Sequence, residues 1–250
     1  MQDKLLSWAE KSCDVLMDWR KYPSAEHLKA PLLIAHRGAW DSAITENTMA
    51  AFKKAQSCGM DGIELDVHFT ADDVPVVHHD PELSRLHGRT ERILDLKFED
   101  LRRIAPAVPT FEEVLALKNL HFMVEIKTAL TPGHLKILEG KMQGLAPVRD
   151  FHLLSLEPDL VRESSAFPGK SWILVGQVQM RTLVEISIAH EFGGAAGHYL
   201  GMTRGLIDRL HARQQAAGVG FVASRNMLNR ERARGVDFVF TNTAEKIGNG

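Results

Sequence analysis

The feature that most constrains this chain is a regular alternation of short apolar segments with helical patterns. The segments with strand character are Leu32–Ala35, Gly62–His68, Pro75–His79, Phe122–Lys127, Phe151–Ser155, Ser171–Val175, Ala195–Tyr199, Val219–Ala223 and Phe238–Thr241. Helical patterns lie between most of them: Asn47–Ser57, Pro132–Met142, Pro158–Ser165, Arg181–His190, Thr203–Ala216 and Leu228–Arg234. Such alternation argues for a parallel sheet with helical crossovers. One segment breaks the rhythm. Only residues 69–74 separate the second strand from the third, and a parallel crossover needs about a dozen residues or more. Pro75–His79 therefore folds back as a hairpin arm, which leaves eight β/α steps in 250 residues. That is the size and count of a closed (β/α)8 TIM barrel, an α/β fold. The stretch of about 80–118 becomes a small insertion after the second strand, in one barrel domain spanning 1–250. Helices are expected near Lys97–Ile104 and Thr110–Lys118, with Thr110 and Glu113 forming a capping box. A doubly wound open sheet is the alternative, but no glycine-rich phosphate loop follows the first strand, where Gly38 stands alone.

Two strands carry charge on an apolar background. In Gly62-Ile63-Glu64-Leu65-Asp66-Val67-His68 and in Phe122-Met123-Val124-Glu125-Ile126-Lys127, polar side chains recur every second residue and share one face. In a barrel Ile63, Leu65 and Val67 face the helices, so Glu64, Asp66 and His68 face the lumen. Unpaired carboxylates there would be expensive. Neighbouring strands would bring Glu64, Asp66, Glu125 and Lys127 together, an oxygen-rich site for a hard divalent cation.

Further polar residues fall at strand ends, where a barrel places its chemistry. His36-Arg37-Gly38 directly follows the first strand. A turn with two solvated side chains is the bland account, yet histidine suits proton transfer near neutral pH and arginine suits a phosphate. In Val76-Val77-His78-His79-Asp80 the two histidines point to opposite faces, so only one serves a site at the end of that arm. Glu46-Asn47-Thr48 precedes a helix, and capping by Thr45 or Asn47 competes with a role for Glu46 in the site. His198 also sits near a strand end.

Composition excludes several classes. Charged residues make up 25%, with a formal net charge of −2, so neither a nucleic-acid surface nor a polybasic membrane patch is indicated. No apolar run approaches the roughly 20 residues that span a bilayer, so no membrane insertion is expected. Asp3, Lys4, Glu10, Lys11 and Asp14 interrupt the N-terminal stretch, unlike the core of a secretory signal. Leu5, Leu6, Ala9, Cys13, Leu16 and Met17 form a helical stripe there, read as an amphipathic lead-in helix. Cys13 and Cys58 lack metal spacing and are expected to be reduced thiols, consistent with a cytoplasmic location.

Taken together these residues resemble the glycerophosphodiester phosphodiesterase family. The likeness is carried by His36-Arg37-Gly38, by Glu46-Asn47-Thr48 with Ala51-Phe52, by Gly59 through Val67, and by Val76-Val77-His78-His79-Asp80. Leu83, Arg85, Gly88 and the run Val108–Leu115 resemble the family's insertion, and Val124-Glu125-Ile126-Lys127 its next metal strand. The match is dense from Leu32 to Lys127 and thins beyond. The resemblance implies a barrel enzyme that hydrolyses glycerophosphodiesters, as small-molecule phosphodiester substrates, to glycerol 3-phosphate and an alcohol. It implies one divalent cation, Mg2+ or Ca2+, on Glu64, Asp66 and Glu125. His36 and His79 would be the acid–base pair, in an order left open. Arg37 and Lys127 would hold phosphoryl oxygens, with Glu46 near metal or substrate.

The last third departs from the family pattern. A strand ending Trp-Thr-Val-Asn is replaced by Ala223-Ser224-Arg225-Asn226, so an aromatic wall is expected to be missing and a cation added. The closing Thr-Asp-x-Pro appears as Thr241-Asn242-Thr243-Ala244, and Thr45 replaces a proline. Arg225 or His198 is therefore expected to contact a polar head group. The alternatives are a lysophospholipase D-like or other phospholipase activity on the same barrel, and a binding protein on a degenerate one. The second would have lost a histidine or carboxylate of the set, and none is lost.

Overall fold

A computed structural model describes residues 17, 19–127, 131–163 and 166–248. The expected lead-in helix, with Cys13, lies outside the described residues. The described chain forms nine strands: β1 (Leu32–His36), β2 (Gly62–Phe69), β3 (Pro75–Val77), β4 (His121–Ile126), β5 (Phe151–Ser155), β6 (Trp172–Gly176), β7 (Gly194–His198), β8 (Ala216–Gly220) and β9 (Phe238–Thr241). Eight of them pair in parallel in the order β1-β9-β8-β7-β6-β5-β4-β2, and β1 pairs with β2 to close the ring. The expected barrel is present. β3 alone is antiparallel, folding back on β2 with Val67 opposite Val77, as the short connection requires.

Helices cover the outside of the ring: α1 (Met49–Ser57), α5 (Pro132–Lys141), α6 (Pro158–Glu163), α7 (Met180–Ala189), α8 (Arg204–His211), α9 (Arg225–Arg234) and α10 (Ala244–Ile247). Between β3 and β4 run α2 (Ser84–His87), α3 (Phe98–Ile104) and α4 (Phe111–Leu115). These pack Leu83, Ile93, Leu101 and Val108 with Val76 into a small core of their own. Thr110 and Glu113 form the expected capping box of α4. The outer core uses the odd residues of β2, Ile63, Leu65 and Val67, against the helices.

The lumen is layered by strand alternation. Ile34, Met123, Leu154, Ile173, Ala196 and Phe240 fill the middle. Strands β7 and β8, reading GAAGH and AAGVG, contribute little bulk. Phe240 occupies the space that Gly218 leaves: a Cβ built on Gly218 would lie 3.3 Å from its ring. Below this layer His121 and His152 form a buried pair beside Phe238.

β8 departs from its expected bounds, Val219–Ala223. The small residues from Ala216 take the register with β7, Gly194 opposite Ala216 and His198 opposite Gly220. Phe221 then leaves the strand with φ 65°. Apolar content alone favoured the later run; pairing with a strand of equally small residues decides for the earlier one. The preceding helix shortens accordingly and ends at His211.

Candidate active site

The C-terminal ends of the strands meet in a cavity of about 450 Å3. β2 and β4 lie side by side with Asp66 opposite Glu125, so their lumen-facing carboxylates converge. Oxygens of Glu64, Asp66 and Glu125 all lie within 4.8 Å of one another, and all three residues are buried. Burial, reinforced by Asp66 and Glu125, pushes the Glu64 carboxyl well above the usual carboxylate range. Burial likewise raises Glu125. Burial works against ionised Asp66 too, but Lys127 and Arg37 overcome it and hold that carboxyl down. Lys127 Nζ sits 3.0 Å from Asp66 Oδ1 and also bonds Glu125. Its ammonium is opposed by burial, yet Asp66 and Glu125 raise its pKa.

β1 supplies the next two groups. Arg37 has φ 59°, which turns the chain so that its backbone N–H donates to Glu64 Oε2 at 2.9 Å. Its guanidinium reaches Glu46 Oε1 at 2.9 Å and Asp66 Oδ2 at 3.4 Å. The following Gly38, at φ 82°, lies against the backbone of Ala51, where a Cβ would come within 2.8 Å. His36 Nδ1 donates to Asn242 Oδ1 at 2.7 Å, which leaves Nε2 3.8 Å from Glu64 Oε2. Burial and the neighbouring Arg37 lower the His36 pKa to about 4.

The hairpin arm carries the second histidine. The His78 N–H donates to the Asp66 carbonyl, which docks the arm onto β2. His79 lines the cavity, and its Nδ1 donates to Asp80 Oδ1 at 2.6 Å. His78 faces the other way, is buried, and has its pKa lowered by burial to about 4. Arg85 holds the arm in place: its Nε donates to Asp80 Oδ2 at 2.6 Å and its NH2 to Glu46 Oε1 at 2.7 Å. Glu46 thus bridges two arginines in the cavity wall.

Of the sequence-derived set, the cavity gathers His36, Arg37, Glu46, Glu64, His79, Glu125, Lys127 and His198, with Asp66 buried behind them. Arg225 does not join them. It is the first residue of α9, and its NH2 donates to the Gly248 carbonyl at 2.5 Å, so the expected head-group contact is withdrawn. The expected loss of the aromatic wall is also corrected. Phe221 enters the cavity by its positive φ, 5.9 Å from the His36 ring and 5.7 Å from the His198 ring, and Trp40 and Phe240 line the same space. Substitution in the 223–226 stretch hid this, because the aromatic sits two residues earlier.

Two partners escaped the sequence reading. Asn47, at φ 55° and buried, is not the helix cap; that is Thr48, whose hydroxyl accepts from Ala51 N–H. Asn47 instead donates from Nδ2 to Asp66 Oδ2 at 2.7 Å. Asn242 holds His36 from across the ring. Its position after β9, beside β1 once the barrel closes, is the signal that would have found it.

The profile of the glycerophosphoryl diester phosphodiesterase family matches residues 36–153, which hold every charged member of this cluster. Over that stretch the chain is similar to that family. Glycerophosphodiester phosphodiesterase 1 of Bos taurus is 41% identical over 96 residues, covering 33% of this chain and 29% of that protein. The chain therefore spans under a third of the mammalian relatives it matches. Glycerophosphodiester phosphodiesterase of Bacillus altitudinis is 28% identical over 241 residues, covering 86% of this chain and 95% of the relative. The fold matches the crystal structure of glycerophosphodiester phosphodiesterase from Thermotoga maritima, at TM-score 0.73, 22% identity and coverage of 87% and 96%. A phosphodiesterase of Oleispira antarctica, solved with the product sn-glycerol-3-phosphate, superposes at TM-score 0.72 with 21% identity, covering 90% of this chain and 98% of the other. Among the described residues no helix is long and apolar enough to cross a membrane.

Proposed function

We propose that this chain hydrolyses glycerophosphodiesters to glycerol 3-phosphate and an alcohol, with a divalent cation, Mg2+ or Ca2+, and with His36 and His79 as the acid–base pair. One observation carries the reading: three converging buried carboxylates share a cavity with two histidines whose Nδ1 atoms are both tied back. The donor set fits a hard cation. Glu64 Oε1 is buried without a hydrogen-bond partner, and Glu64, Asp66 and Glu125 crowd their charges at a cost that a cation would offset. When held by these three residues, the cation supplies Lewis-acid charge for a phosphoryl oxygen.

The chain's own groups do the rest. Arg37 and Lys127 line the same wall and offer donors to the remaining phosphoryl oxygens as negative charge builds in the transition state. Asn242 accepts from His36 Nδ1 and Asp80 from His79 Nδ1, so each ring keeps Nε2 for the substrate. One Nε2 takes the proton of the nucleophile, water or the substrate's own glycerol hydroxyl. The other gives a proton to the departing alkoxide. Phe221 and Trp40 line the cavity beside the reacting groups.

The test is glycerol 3-phosphate release from glycerophosphocholine by protein dialysed against chelator and reloaded with Mg2+ or Ca2+. Activity should require the cation, and His36→Ala and His79→Ala should each abolish it while retaining the parent's circular dichroism. Full activity in excess chelator would overturn the metal assignment, and full activity of either variant the acid–base one.

A further inference from the structure

A second cavity, of about 610 Å3, lies at the end of the ring where the strands begin, opposite the active site. Strand alternation separates the two. His152 and Phe238 stand two residues before Leu154 and Phe240 and share their face, so the apolar middle layer divides one cavity from the other. Ile188, Phe192 and Phe238 make an apolar wall. Three other lining residues, Val148, Glu191 and Gln214, hold φ of 71°, 53° and 56°. That backbone strains a β-branched valine, and such strain gathers at binding sites, as with Arg37 and Phe221 in the other cavity.

Two buried acceptors line this cavity without a donor. His121 Nδ1–H donates to the Arg149 carbonyl, so His121 Nε2 accepts from His152 Nδ1–H at 2.9 Å. The neutral His152 ring therefore carries no proton on Nε2. Burial, with His121 alongside, lowers its pKa to about 3, which keeps the ring neutral. His152 is 3% exposed, and among the described residues nothing donates to Nε2. Gln215 spends both Nε2 hydrogens on the Ser187 and Phe192 carbonyls, each at 2.7 Å, which leaves its buried Oε1 unpartnered. Buried acceptors in this state call for a donor. The rim adds charge. Asp237 is already claimed by Lys29 at 3.3 Å, His211 at 2.9 Å and the Ala217 N–H at 3.0 Å. Lys170, Arg213 and Glu191 have no ion pair among the described residues, which leaves one positive charge in excess.

We infer that this cavity is a second ligand site, for a small amphipathic organic anion. Its phosphate or carboxylate is held at the rim by Lys170 and Arg213. Its apolar body lies against Ile188, Phe192 and Phe238, and a hydroxyl or N–H at its far end donates to His152 Nε2. The volume and the mixture of an apolar wall with a few placed polar groups are those of a small-molecule site. A water molecule would satisfy Nε2 alone and leave the cations and the apolar wall unused. A metal ion lacks converging ligands here, since among the described residues the carboxylates of the active site form the one such group. The site is independent of the phosphodiesterase reading and shares no residue with the catalytic cavity.

The experiment titrates the full chain with two probes, adenosine 5′-monophosphate and 4-hydroxybenzoate, by calorimetry and by thermal melting. At least one should bind and, at about 100 times Kd, raise Tm by about 5 °C or more. In histidine-15N-labelled protein the same probe should shift the His152 Nε2 resonance, which is assigned by its loss in His152→Leu. Lys170→Glu combined with Arg213→Glu alters only exposed side chains, should keep the parent's melting curve without probe, and should weaken binding about tenfold or more. Binding of the nucleotide alone identifies the anion as phosphate, and of the benzoate alone as carboxylate. If neither probe binds, or Nε2 stays unmoved, the cavity holds water only and the proposal is overturned. Equal affinity in the rim variant places the probe elsewhere, the catalytic cavity included, and overturns it as well.

Discussion

The His121–His152 pair at the closed end of the barrel makes stability depend on pH in a way that is separable from catalysis. His121 Nδ1–H donates to the Arg149 carbonyl at 3.1 Å, so its Nε2 accepts from His152 Nδ1 at 2.9 Å. Both rings are buried, with Phe238 packed 5.1 Å from His152. Burial, with His121 alongside, lowers the His152 pKa to about 3, and burial lowers His121 in the same direction. A histidine depressed in the folded state gives its full stability above the unfolded value of about 6.5 and loses it as pH falls from there toward the folded value. Between pH 7 and pH 5, His152 alone should cost about 2 kcal/mol, roughly 1.5 units at 1.36 kcal/mol each. His152→Leu isolates the effect. At pH 7 it should be less stable than the parent by about 1–2 kcal/mol, because His121 Nε2 loses its donor. At pH 5 the gap should close or reverse, since the leucine takes up no proton on unfolding. Urea denaturation of both proteins at the two pH values gives the double difference, in which titrating groups remote from the pair cancel. Parallel pH dependence in parent and variant would refute the reasoning.

Three other outcomes are expected. Gly38→Ala must hold φ near 82° and place a methyl 2.8 Å from Ala51 backbone, so it should cost about 3 kcal/mol or more in chemical denaturation and displace His36 and Arg37. Glu231 is wholly buried between Arg230 and Arg234, and Glu231→Ala, which strands both cations, should lower stability by about 3 kcal/mol; a loss under about 1 kcal/mol would mean that solvent screens them. In chelator, Glu64→Gln should be at least as stable as the parent, because it removes a crowded carboxylate; added Mg2+ or Ca2+ at about 100 times Kd should then raise the parent by about 2.7 kcal/mol and the variant by less, followed by calorimetric Tm.

How much the sequence disclosed follows from which contacts are local. The barrel was legible because each β/α step has its own period, and because the six-residue gap before Pro75 forces a hairpin whatever surrounds it. Glu64, Asp66, Glu125 and Lys127 were legible for a similar reason: alternation fixes the face of each strand, and only the adjacency of β2 and β4 remained to be supplied. The misses all depend on something alternation does not encode. Phe221 is placed by one backbone angle, φ 65°, which a strand pattern does not anticipate. Arg225 sits where the chain has already turned into α9, so its charge goes to a carbonyl at the end of α10. The bounds of β8 were set by its partner strand and not by its own hydrophobicity. Asn242 meets His36 only across a closure spanning 206 residues.

That closure gives the site a place in time. His79, Asp80, Glu64 and Asp66 belong to one ribbon of about 16 residues and come together soon after they are made. His36 is among the first barrel residues to leave the ribosome, but the oxygen that fixes its ring is on Asn242, beyond the last strand. A nascent chain that has folded through β8 holds its carboxylates and one oriented histidine, while the other histidine swings without a partner. His36 therefore gains its tether only when β9 takes its place between β8 and β1 and the ring closes, and under the proposed acid–base role the appearance of activity during synthesis would report barrel completion.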